Sequence, residues 1–78
     1  MKNIKPIFEW AKSNGDAAVI DRIMIKLLPE FIKYNFKITV QEISSSETIE
    51  VSDELYDLVE NTAQELQIQN YSIHRPIQ

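Results

Sequence analysis

A small α+β fold is expected, an open two-layer sandwich of order ααββαβ. Two segments repeat apolar residues at helical spacing, and three others alternate apolar and polar residues with period two. The 78 residues suit one domain, and the 34 apolar side chains include 12 Ile, 5 Leu and 4 Val, enough for a packed core.

Pro6 suits the first turn of a helix running to about Ser13, ended by Asn14 and Gly15. Ile7, Phe8 and Trp10 give it apolar mass and are expected to cap the core, the alternative being an exposed hydrophobic anchor for a partner. Asp16 then reads as the N-cap of a second helix, in which Ile20, Ile23, Met24, Leu27, Leu28 and Phe31 form one buried stripe. Pro29 inside this stripe predicts a break near Leu28 or a kink. Ala18, Ile25 and Ile32 widen the apolar arc to about 220°, more than one packing partner requires. The second helix is therefore expected to touch the sheet on one side and another helix, or a second copy of the chain, on the other.

Residues 36–41 alternate with Phe36, Ile38 and Val40 inward and predict the first strand. The polar run 44–47 separates it from a second strand at 48–51, with Ile49 and Val51 inward, and the short connection predicts an antiparallel hairpin. Ser52 caps a third helix bearing Leu55, Leu58, Val59, Thr62 and Leu66 on one face, with Asp53 and Glu54 in its first turn. Residues 70–75 alternate again, Tyr71 and Ile73 against Asn70, Ser72 and His74, and predict a third strand ended by Pro76. The helical crossover makes strands 2 and 3 parallel, so strand 1 is expected in the middle of a three-stranded sheet, antiparallel to both, with the helices on one face.

Composition excludes several chemistries. A single glycine cannot build a glycine-rich phosphate loop, and the lack of cysteine removes disulfides, thiol nucleophiles and thiolate metal sites. His74, the sole histidine, has no second histidine to share a metal. No catalytic residue, cofactor site or metal site is expected, and the chain is read as non-enzymatic. Charges interrupt every apolar stretch, so no membrane span is expected. Glu9 and Lys12 break up any leader-like apolar run, which makes the cytoplasm the expected compartment.

Charge is segregated along the chain. Residues 1–41 carry 7 basic and 4 acidic side chains, about +3, whereas residues 42–78 carry 8 acidic side chains and only Arg75, about −7. On the third predicted helix Asp53, Asp57, Glu60 and Gln64 form one polar stripe, flanked by Glu54 and Glu65 and relieved by no Lys or Arg. Like charges at these spacings cost about 0.2–0.5 kcal/mol per pair, so another pressure maintains the stripe: solubility, or docking of a basic partner protein. On the second helix Arg22, Lys26 and Lys33 fall within about 40° of one another and make a secondary candidate surface. Nucleic-acid binding is disfavoured by the net charge of −4.

Residues 48–55 followed by Leu58 and Val59 resemble the strand and first helix of ribbon-helix-helix DNA-binding proteins. That family's second helix has no room before Pro76, and Glu50 stands where a base-reading strand residue would, so the resemblance carries no assignment. The GXXG loop of KH-type RNA binding is absent. The expected function is a protein–protein interaction module that regulates or inhibits a larger partner through the acidic face, with a structural homo-oligomer as the alternative.

Overall fold

The structure is a computed structural model that describes residues 1–16 and 18–74, with side chains described as far as Asn70. The order is β1 (Lys2–Asn3), α1 (Lys5–Asn14), α2 (Val19–Lys33), α3 (Val40–Ser45), β2 (Glu50–Val51) and α4 (Asp53–His74). Helix and sheet are both present, as expected, but helix dominates. The sheet has two antiparallel strands, Lys2 opposite Val51 and Asn3 opposite Glu50, in place of the expected three strands in ααββαβ order.

Three corrections follow from local chemistry. Residues 36–41 keep the predicted alternation in burial, with Phe36, Ile38 and Val40 half-buried and Lys37, Thr39 and Gln41 exposed. Yet residues 36–39 have no ladder partner, and from Val40 the chain is helical, so this segment is neither a strand nor the centre of a sheet. A capping box explains the switch: Thr39 Oγ1 accepts the Glu42 N–H at 3.1 Å while Glu42 Oε2 accepts the Thr39 N–H at 2.7 Å. Thr39→Ala is expected to cost about 0.5–2 kcal/mol, read as a lower urea midpoint at unchanged slope.

The second strand survives only as Glu50–Val51, and its partner is the N-terminal β1 rather than residues 36–41. In place of the third strand, α4 continues through residue 74; Arg75, the last residue of that predicted strand, lies outside the described residues. No Gly or Pro interrupts residues 53–74, and the buried positions Leu55, Val59, Thr62, Ala63, Gln67 and Asn70 keep a helical period throughout. His74 therefore stands on a helix, not on a sheet face.

The first two helices follow the sequence more closely. α1 exceeds its predicted range by one residue at each end. Asp16 is not the N-cap of α2, a place taken by Ala18 without a side-chain cap bond; Asp16 Oδ1 instead accepts the Ala18 N–H at 3.0 Å in the turn that leads into the helix. Pro29 does not end α2, which runs on to Lys33. Ile25 and Pro29 both lie on the exposed side, where water can pair the Ile25 carbonyl that the proline leaves without a donor. The helix stops instead at Asn35, whose φ of 56° is left-handed. There the Asn35 N–H donates to the Ile32 carbonyl at 3.0 Å and the Phe36 N–H to the Phe31 carbonyl at 2.8 Å, a Schellman termination.

The core lies where α4 packs along α2 and α1, and Phe8, Ile23, Leu27, Phe31, Leu55 and Val59 are nearly inaccessible within it. The N-terminal residues are tied into the same body. Asn3 Oδ1 accepts from the Lys5 N–H at 3.0 Å and the Ile49 N–H at 2.8 Å, and the Ile4 N–H donates to the Ile49 carbonyl at 2.8 Å. Among the described residues no helix is long and apolar enough to cross a membrane.

Candidate functional site

Asp53, Asp57, Glu60 and Gln64 share one side of α4 because they recur at i, i+4, i+7 and i+11. Ser52 starts the helix, its Oγ accepting the Leu55 N–H at 3.3 Å, which places Asp53 in the first turn where the helix dipole favours an anion. Asp53, Asp57 and Gln64 are exposed, and Glu60 is half-buried.

Four cations of the first half are engaged, none of them with Asp53, Asp57 or Glu60. Lys26 Nζ pairs with Glu65, which flanks the ridge, at 2.8 Å, and Arg22 Nη1 donates to Asn70 Oδ1 at 3.3 Å. Lys2 Nζ stands 4.8 Å from the centre of the Tyr56 ring, and Lys5 Nζ donates to the Ile43 carbonyl. Among the described residues the one ion pair is Lys26–Glu65, and Asp53, Asp57 and Glu60 have no cationic partner there. Of the basic stripe on α2, Arg22 and Lys26 are thus turned to α4, while Lys33 stays exposed without a side-chain bond among the described residues.

The ridge does not end on a flat surface. Glu60 and Gln64 form one wall of an open cleft of about 290 Å³ between α1 and α4, and Pro6, Ile7 and Trp10 form the other. Of the three apolar residues expected to cap the core from the first helix, Ile7 and Phe8 do so, but Trp10 is 41% exposed. Helical geometry accounts for the difference, since Trp10 projects about 60° to one side of Ile7 whereas Phe8 and Ala11 lie on the other. That offset was the available signal for an exposed aromatic. Nothing in the spacing foretold its meeting with Glu60 and Gln64, which lie some 50 residues away in sequence.

Chemically, the cleft brings an indole, a carboxylate and a carboxamide together. A guanidinium is suited to that set, because it stacks on aromatic faces and offers paired N–H donors to a carboxylate. Among the described residues no three His, Asp or Glu side chains gather as a metal-ligand set. Comparisons with family models, curated proteins and solved structures find no match.

Proposed function

We propose that the chain is a non-enzymatic protein-interaction module that docks a basic segment of a larger partner on the acidic face of α4 and thereby regulates or inhibits that partner. The reading is carried by the junction of ridge and cleft. Glu60 and Gln64 belong to both, so an arginine seated beside Trp10 leaves the neighbouring basic residues over Asp57 and Asp53. Three carboxylates without a cationic partner among the described residues also favour fast, salt-sensitive association with a cationic surface.

The test uses a short Arg-rich peptide and its Gln-substituted counterpart, followed by the emission of Trp10, the only tryptophan. The Arg peptide is expected to bind, to shift that emission and to weaken as salt is raised. Asp57→Lys with Glu60→Lys is expected to lower affinity by at least about tenfold and to lose the partner retained by the wild-type chain in a cellular pull-down. Because Asp57 is exposed and Glu60 lies at the cleft edge, the far-UV spectrum stays the same. Equal binding by the reversed variant, or by the Gln peptide, refutes the acidic surface.

A further inference from the structure

The arc predicted on the second helix exceeds what the fold covers. Ile23, Leu27 and Phe31 are buried, but Ile25, Leu28 and Ile32 on the opposite side of α2 remain 74%, 55% and 68% exposed. Pro29 is exposed between them. The four side chains occupy i, i+3, i+4 and i+7 and form a continuous apolar strip about 10 Å long. It continues into a groove of about 270 Å³ lined by Phe31, Phe36 and Ile38 together with Lys37 and Glu42, the latter's carboxylate accepting the Thr39 N–H.

We infer that this strip is the interface between two copies of the chain, their α2 helices antiparallel about a two-fold axis passing beside Leu28 and Pro29. An isologous contact must be complementary to itself, and the residues along α2 meet that condition. With the axis there, Ile25 of each copy faces Ile32 of the other and enters the groove beside it. Asp21 lies on the Leu28 side of the strip, one turn before Ile25, and so comes opposite the segment just after the other copy's α2, where Lys37 stands on the same side. The contact thereby gains two symmetry-related Asp21–Lys37 pairs.

The opposite flank does not oppose this arrangement. Its cations Arg22 and Lys26 are held against α4 by Asn70 and Glu65, and among the described residues Lys33 is the one cation of the stripe with no bond to α4. Antiparallel packing also sets each helix dipole against the other favourably. This interface is independent of the acidic ridge, which lies on α4.

Sedimentation of the full chain from about 1 μM to about 1 mM provides the test. Reversible dimer formation is expected, abolished by Ile25→Glu with Ile32→Glu while the far-UV spectrum of the monomer is retained, since both side chains are exposed. Asp21→Lys and Lys37→Asp are each expected to weaken the dimer by roughly 3- to 10-fold, and the double exchange is expected to restore it. A monomer at every concentration overturns the interface, as does self-association indifferent to the two glutamates. A double exchange no tighter than the single variants overturns the antiparallel pairing.

Discussion

Phe31→Ala is expected to remove a large share of the stability of this domain, about 3–5 kcal/mol, measured by urea unfolding at 25 °C. A chain of this length has roughly 4–12 kcal/mol to lose. Phe31 is 2% exposed and does two things at once. Its ring fills the core and meets Phe36 edge-on, centroids 5.3 Å apart, while its carbonyl accepts the Phe36 N–H that closes α2. The ring pair is the hydrophobic contact that accompanies a Schellman termination. Truncation therefore opens a cavity and also loosens the chain's exit toward α3. A cost below about 1.5 kcal/mol, the scale of a volume-conserving swap, shows that the pocket collapses around alanine and refutes the anchoring role.

Gly15→Ala is expected to destabilise the fold by about 1–2 kcal/mol, although the glycine has φ −119°, extended backbone open to any residue. The reason is space. A Cβ there lies 2.4 Å from Val19 Cγ2, 2.7 Å from Gln67 Oε1 and 3.0 Å from the Ala11 carbonyl oxygen. Val19 is inaccessible, and Gln67 is held by the bond from its Nε2 to the Asn14 carbonyl, so neither moves away freely. Overpacking of this kind costs about 1–3 kcal/mol, and restricting the unfolded chain returns only about 0.4–1 kcal/mol. An unchanged or higher urea midpoint refutes the close approach of α1, α2 and α4 at this residue.

Helix 19–33 and the part of helix 53–74 that reaches Leu66 were legible because their apolar residues recur for several turns, a signal that only a continuous helix satisfies. The strand at 36–41, and the one at 70–75 over its described residues 70–74, were misread because short alternation records which side chains turn inward, not whether a neighbouring strand exists to pair with. Around Phe36 to Val40 the inward positions are right and the hydrogen bonding is not. Thr39 and Glu42 carried the visible counter-signal, since their three-residue spacing is that of a capping box. At the far end, Gln67 and Asn70 concealed the helical period of α4, because a polar side chain enters a core position only when something pairs it. The Asn14 carbonyl accepts from Gln67 Nε2 and Arg22 donates to Asn70 Oδ1 from distant parts of the chain, while Gln67 Oε1 stays buried without a partner among the described residues. The ridge itself was readable from spacing alone, but its merger with Trp10 depends on α1 lying against α4, which no local pattern encodes.

The two-residue pairing of β1 with β2 also governs how the molecule comes apart. Asn3 and Ile49 are 46 residues apart, and bringing such ends together costs roughly 3–4 kcal/mol of chain entropy. So few hydrogen bonds cannot meet that cost unless the helices between them have already shortened the journey. With Ile4, Ile49 and Val51 buried in the core, the clasp shuts together with the helices that bring its ends near. Once shut, it makes the start of the chain a structural cross-tie, binding the fate of α1 to that of α4 in a single cooperative transition.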